Sequence, residues 1–160
     1  MWKRVGSNEA VYSDESGTSG IQRNKRIGGY QVKKRVLVID DIGVILDLVK
    51  SLLQMGGYDV VTATDAASAL VQIEKTKPDL ILLDIMMPNI SGYDFIIQLR
   101  QRQNHYAAIP IMLLTVWKHT PEEIKQLGVA GYLRKPFHPK ELLSKIEELL
   151  CNTNTSTPTE

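Results

Sequence analysis

The chain has 160 residues, 43% of them hydrophobic and 23% charged, which suits one globular domain with a sizeable core. Its formal net charge of +1 lacks the basic excess of nucleic-acid binders, so we expect no nucleic-acid partner. No apolar stretch approaches the ~20 residues of a membrane span, and the N-terminus lacks the apolar core of a signal peptide. We therefore expect a cytoplasmic protein without membrane insertion, and the single Cys151 fits a reducing compartment.

Residues 1–34 form the first segment of the chain. They are rich in Ser, Gly, Asn and charged residues and show the period of neither a helix nor a strand. We predict a flexible polar N-terminal arm here. A globular domain then covers residues 35–151, and residues 152–160 form a disordered polar tail.

Short apolar runs alternate with helical patterns from residue 36 onward. The predicted strands are residues 36–39, 58–63, 79–83, 109–114 and 130–134. The first predicted helix starts near residue 42, and the others cover residues 66–75, 93–101, 122–127 and 140–151. Strands that are apolar on both faces and alternate with helices favour an α/β fold, with a parallel sheet covered by helices. Ligands of such open sheets bind beyond the carboxyl ends of the strands.

Polar residues stand at or just past those predicted strand ends, namely Asp40, Asp41, Asp84, Thr115 and Lys135. Three carboxylates held close together repel one another and need a cation, and an all-oxygen set suits a hard ion such as Mg²⁺. An ionised aspartate can attack a phosphoryl group without a general base, while an ammonium and a hydroxyl stabilise the phosphoryl oxygens. The pattern therefore indicates phosphoryl transfer.

Each of these residues also has a structural alternative. Asp40 and Asp41 precede a helical pattern and could cap that helix. Thr115 could be an ordinary strand-end residue, and Lys135 a solvated surface charge. All of these alternatives would have to hold together by coincidence, so the joint pattern favours a functional site.

Four stretches of the chain resemble the receiver domain of two-component response regulators. They are residues 38–41 (VIDD), 82–94 (LLDIMMPNISGYD), 110–115 (PIMLLT) and 131–137 (GYLRKPF). The resemblance covers residues 35–150, and four blocks in this order are far more specific than any one block. It implies a doubly wound, flavodoxin-like receiver fold with a five-stranded parallel sheet of strand order 2-1-3-4-5.

The resemblance also implies roles for the acidic residues. Asp84 corresponds to the phospho-acceptor, and Asp41 to a direct ligand of Mg²⁺ or Mn²⁺. Asp40 would contact the metal through water, and Met86 would supply its backbone carbonyl.

Further roles implied by the resemblance concern the phosphoryl group. Lys135, followed by a cis peptide to Pro136, would pair with the phosphoryl oxygens. Thr115 would hydrogen-bond the phosphoryl group and shift toward it. That shift would let Tyr132 turn inward, so Thr115 and Tyr132 form the switch pair.

The chain departs from the usual receiver pattern after Thr115. Val116 stands where receivers generally have Ala or Gly, and the bulky Trp117 follows. We predict that Val116 narrows phosphodonor access, and that Trp117 and Met86 hinder attack by water and so prolong the phosphoryl lifetime. Lys135 stands 20 positions after Thr115, about two fewer than in typical receivers. We therefore carry over neither the fourth helix nor the dimer face of the family.

Three functional classes follow. The favoured one is a stand-alone receiver that takes a phosphoryl group from a sensor histidine kinase or histidine phosphotransfer protein and presents an altered surface to a downstream protein. We expect it to be a monomer or weak homodimer, and not a turnover enzyme. The second class is a degenerate receiver that binds proteins without phosphate. The third is an aspartyl phosphatase, which would need a general acid where Met86 stands. The three histidines, among them His119, follow no metal-ligand spacing, so zinc is not indicated.

Overall fold

A computed structural model of the protein describes residues 2–4, 10–13, 19–21, 26–27 and 30–152. The chain divides into two compact units, Met1–Lys33 and Lys34–Glu160. Among the described residues, none of the helices combines the length and the apolar character that a membrane span requires.

The first unit contains short strands that the sequence analysis missed. Strands β1 (Trp2–Arg4), β2 (Ala10–Ser13) and β3 (Ser19–Ile21) form an antiparallel sheet, and β4 (Arg26–Ile27) pairs with β5 (Tyr30–Gln31). Strands of two to four residues are too short to show an alternating pattern among so many polar residues. The flexibility of residues 1–34 stays a prediction.

The second unit alternates five strands with five helices, as predicted. In chain order its elements are β6 (Arg35–Ile39), α1 (Gly43–Met55), β7 (Asp59–Ala63), α2 (Ala66–Thr76), β8 (Leu80–Asp84), α3 (Gly92–Arg100), a 3₁₀ helix (His105–Ala108), β9 (Ile111–Thr115), α4 (Pro121–Leu127), β10 (Gly131–Arg134) and α5 (Pro139–Asn152). The 3₁₀ helix was not predicted. The predicted tail, residues 152–160, lies outside the described residues apart from Asn152.

All five strands of the second unit belong to one parallel sheet. Its order is β7-β6-β8-β9-β10, which is 2-1-3-4-5 when the strands are counted from β6. The predicted fold class is therefore confirmed. Because β8 lies on one side of β6 and β7 on the other, the strand order reverses between β6 and β8.

The three central strands of the sheet, β6, β8 and β9, are buried on both faces, and their alternate residues enter different cores. On one face Leu37 and Leu83 pack with residues of α2 and α3, such as Ile73 and Phe95. The opposite face packs against α1 and α5. Two-sided burial explains why these strands read as continuous apolar runs in the sequence.

The start of α3 lies directly against the end of β8. A Cβ atom added to Gly92 would come within 2.7 Å of the Asp84 carbonyl oxygen and of the Ile85 Cα. Both of these are backbone atoms, so they cannot easily move away from an added Cβ. A residue without a side chain is needed here because the helix begins against the backbone that carries Asp84.

The short fourth helix, α4, is present despite the shortened segment. Its seven residues start with a capping box, in which the Thr120 hydroxyl accepts from the Glu123 N–H and the Glu123 carboxylate accepts from the Thr120 N–H. The helix ends at Gly128, whose φ of 64° lies in the left-handed region.

Candidate functional site

The carboxyl ends of four adjacent strands carry the predicted polar residues. Asp84 and Thr115 are the last residues of β8 and β9, Asp40 and Asp41 follow β6, and Lys135 follows β10. Parallel strands end at the same edge of the sheet, so the topology places all five at one edge. We call Asp40, Asp41, Asp84 and Lys135 the acidic site.

Asp40 and Asp84 are held in the same way at neighbouring strand ends. One oxygen of each accepts a backbone N–H from two residues further on: Ile42 donates to Asp40 Oδ1 at 2.9 Å, and Met86 donates to Asp84 Oδ1 at 3.1 Å. The other oxygen of each faces Lys135 Nζ, at 3.0 Å from Asp40 Oδ2 and 3.3 Å from Asp84 Oδ2. Lys135 is thus shared between the two carboxylates, which excludes the alternative of a solvated surface lysine.

The aspartates after β6 do not cap helix α1. The N-cap residue is Ile42, which makes no side-chain capping hydrogen bond. Asp40 is fully buried, whereas Asp41 is exposed. A buried carboxylate needs a compensating partner, and Asp40 finds one in Lys135 rather than in the helix.

The acidic site fits a divalent cation. One carboxylate oxygen from each of Asp40, Asp41 and Asp84 lies within 4.8 Å of the others. Three carboxylates against the ammonium of Lys135 leave a net charge of −2, and all the donors are oxygen. A hard cation such as Mg²⁺ suits this donor set and charge.

Thr115 is buried at the end of β9, and its hydroxyl has a backbone partner. The Trp117 N–H donates to Thr115 Oγ1 at 3.1 Å, so the hydroxyl hydrogen is available to a second acceptor. In the loop after Thr115, the Val116 carbonyl accepts a hydrogen bond from Nε of Arg134, the last residue of β10, at 3.2 Å. The peptide bond between Lys135 and Pro136 is cis, as the resemblance implies.

Tyr132, the other member of the predicted switch pair, lies half-buried on β10. It is paired in register with Leu113, two residues before Thr115. Its ring packs against the core and meets the ring of His119 edge to face, with 5.4 Å between the centroids. The pair therefore occupies neighbouring strands.

An apolar cleft of about 440 Å³ borders the acidic site. Its walls come from the two segments that follow Asp84 and Thr115, and the residues that line it are Ile85, Met86, Met87, Pro88, Ser91, Tyr93 and Trp117. Met86 and Trp117 are 56% and 48% exposed, so large apolar side chains face solvent next to the carboxylates. Val116 is 49% exposed beside them.

Burial raises the pKa of the Asp84 carboxyl above its ordinary value of 3.8. The Met86 N–H and the Lys135 ammonium oppose this rise, and the negative charge of Asp40 adds to it. The folded protein therefore holds the Asp84 proton more tightly than the unfolded chain does. The contribution of Asp84 to the free energy of unfolding falls as the pH rises from 3.8 through the raised pKa. Above the raised pKa the full cost of burying the ionised carboxylate is present.

Replacing Asp84 with Asn is expected to remove that cost. Without divalent ions, Asp84→Asn should unfold at higher urea than wild type above the raised pKa, and the difference should disappear below 3.8. Urea unfolding across a pH series measures both variants. Asp47→Asn, an exposed change on α1, is the control. A gain in stability of Asp84→Asn that stays constant with pH would show that the gain does not come from the ionised Asp84 carboxylate.

Two residues beside the site escaped the sequence analysis. His119 was set aside because its spacing matches no metal motif, and Arg134 was read as one residue of a short strand. The side chain of His119 is 8% exposed, and Arg134 reaches the loop that carries Val116. The one available signal for His119 was its position directly before the capping-box residue Thr120.

Comparison with known proteins identifies what this arrangement resembles. The family model described as "Response regulator receiver domain" matches residues 36–147. A chemotaxis response regulator of Vibrio cholerae, CheY4, is 36% identical, with a TM-score of 0.67 over 74% of this chain and 99% of that one. A CheY-like receiver domain from Methanospirillum hungatei is 28% identical, with a TM-score of 0.70 over 79% of this chain and 100% of that one.

Longer curated proteins also match. The alkaline phosphatase synthesis transcriptional regulatory protein PhoP of Bacillus subtilis is 36% identical over 79% of this chain and 52% of its own length. The DNA-binding dual master transcriptional regulator RpaA of Synechocystis is 38% identical over 75% of this chain and 50% of its own. The chain spans about half the length of these relatives.

The expectation of no nucleic-acid partner is wrong. It rested on the net charge of this chain, whereas the curated relatives are named as transcriptional regulators and RpaA as DNA-binding. Those proteins extend well beyond the part that matches this chain. The charge of a receiver part does not reveal what the rest of such a protein binds.

Proposed function

The chain belongs to the response regulator receiver domain family of two-component signalling, and on this premise we propose that Asp84 accepts a phosphoryl group in a Mg²⁺-dependent reaction. The observation that carries the proposal is the position of the Lys135 ammonium. Its Nζ lies within 3.3 Å of carboxylate oxygens of both Asp40 and Asp84, which follow or end the two strands between which the strand order reverses. The donor is a phosphohistidine of a sensor kinase or of a phosphotransfer protein. Phosphorylation of Asp84 changes the surface of the domain that a downstream partner contacts.

Asp41 and Asp84 would hold the cation directly with the Met86 carbonyl, and Asp40 through water. When bound, Mg²⁺ neutralises charge that develops on the transferred group. An Asp84 oxygen forms a bond to phosphorus while the bond from phosphorus to the donor imidazole nitrogen breaks, and that nitrogen keeps the electron pair. Asp84 needs no general base because it reacts as a carboxylate.

Lys135 and Thr115 act on the phosphoryl oxygens. The Lys135 ammonium already contacts Asp84, so it is in place to pair with a group bound there. The Thr115 hydroxyl accepts from Trp117 and keeps its own hydrogen to donate. Turning toward the phosphoryl group, Thr115 leaves room for Tyr132 to move inward.

Several parts of this assignment stay predictions. They are the cytoplasmic location and the absence of turnover, since the carboxylate is consumed stoichiometrically. A degenerate receiver is the alternative. The three carboxylates gathered within 4.8 Å favour phosphorylation over it.

Intact-protein mass after incubation with acetyl phosphate and Mg²⁺ tests the proposal. Wild type and the control Asp47→Asn should each gain one phosphoryl group. Asp84→Asn, and wild type with a chelator, should gain none. No gain on wild type, together with no beryllofluoride binding, would identify a degenerate receiver.

A further inference from the structure

The imidazole of His119 is an unusual feature of the loop between β9 and α4. Its side chain is 8% exposed, and its Nε2 atom is buried without a hydrogen-bond partner among the described residues. Buried polar atoms are normally paired, so an unpaired one calls for an explanation. The alternative of an ordinary loop histidine does not account for this burial.

His119 lies between the switch residue Tyr132 and the start of α4. On one side its ring meets Tyr132 edge to face, at 5.4 Å between centroids and 80° between planes. On the other side its Nδ1 is 3.5 Å from Glu123 Oε2. That same oxygen accepts the Thr120 N–H at 2.8 Å, which closes the capping box of α4.

The chain connectivity strengthens this link. His119 directly precedes Thr120, the N-cap residue of α4. The position of the imidazole therefore influences where α4 begins, through the backbone as well as through Glu123. Because the ring of Tyr132 supports the imidazole, a change at Tyr132 removes that support.

We propose that His119 is a positioning residue that couples the orientation of Tyr132 to the N-terminus of α4. The inference rests on the proposed function for the direction of the signal, since phosphorylation is what turns Tyr132. When Tyr132 turns inward, the imidazole loses its ring contact and moves, which frees Nε2 to find a partner. The start of α4 then changes position or stability.

A double-mutant cycle tests the coupling without any phosphorylation. Amide hydrogen exchange at Glu123 and Ile124 reports the first turn of α4. Tyr132→Leu and His119→Ala should each speed this exchange about tenfold, and the double variant should speed it by about the same factor rather than by the product. Unchanged exchange in Tyr132→Leu, or multiplied effects in the double variant, would overturn the proposal.

Two further variants separate ring packing from general damage. His119→Phe keeps a ring against Tyr132, so its exchange should stay close to wild type. His105→Ala removes another histidine whose ring lies near a tyrosine ring, with 4.0 Å between the centroids of His105 and Tyr106, and should leave α4 unaffected. A loss of protection in His119→Phe equal to that in His119→Ala would contradict coupling through the ring.

Beryllofluoride with Mg²⁺, as a stand-in for the phosphoryl group, separates this proposal from the proposed function. The amide resonance of Met86, whose N–H donates to Asp84, reports binding at the acidic site. Wild type should show shifts at both Met86 and Glu123, and His119→Ala should keep the Met86 shift and lose most of the Glu123 shift. A full Glu123 shift in His119→Ala overturns the coupling alone. No Met86 shift in wild type overturns the proposed function, and the exchange cycle still decides the coupling.

Discussion

Replacing Lys135 with Met is expected to lower the free energy of unfolding by about 3 kcal/mol at neutral pH without divalent ions. The change removes the ammonium that lies 3.0 Å from Asp40 and 3.3 Å from Asp84, and both carboxylates are buried. Methionine has a similar length and no charge, so the loss comes from unpaired charge more than from packing. Urea unfolding measures it.

Two comparisons identify the source of that loss. Lys145→Met removes an exposed pair with Glu148 and should cost less than about 1 kcal/mol. Adding Asp40→Asn to Lys135→Met should recover most of the lost stability, because the most deeply buried carboxylate is then neutral. Equal losses of unfolding free energy in Lys135→Met and Lys145→Met would show that the contact of Lys135 with two buried carboxylates is not the source of the loss.

The second large effect concerns the lifetime of the phosphoryl group. We expect Met86→Asn combined with Trp117→Ala to speed dephosphorylation about tenfold or more, equivalent to ~1.4 kcal/mol in the activation barrier. Met86 and Trp117 line the apolar cleft beside Asp84 and present little that could orient an attacking water. Time-resolved decay of the phosphorylated protein by intact mass gives the rate.

Controls for the lifetime prediction use other exposed apolar residues. Met55→Asn on α1, where Met55 is 73% exposed, should leave the decay rate unchanged. Val116→Ala should speed loading from acetyl phosphate while decay stays the same, because the predicted role of Val116 is access. If the Met86 and Trp117 variants decay at the wild-type rate, the cleft does not limit hydrolysis.

Local pattern accounts for most of the fold. The apolar runs before Asp40, Asp84 and Thr115 predicted strands because a strand buried on both faces must be apolar throughout. The boundaries agree to within about two residues, which is the usual uncertainty of such limits. Strands β1 to β5 were missed because they are too short to carry a detectable period.

The identity of the polar residues at the strand ends follows from the amino-acid sequence, because the order of apolar runs and polar residues is a local property. The tertiary structure places Lys135 against both Asp40 and Asp84, since that contact depends on strand order and joins Asp40 to a residue 95 positions later in the chain. It also decided the burial of His119 against Tyr132. Such contacts arise from sheet register and side-chain packing between distant segments, and spacing along the chain does not encode them.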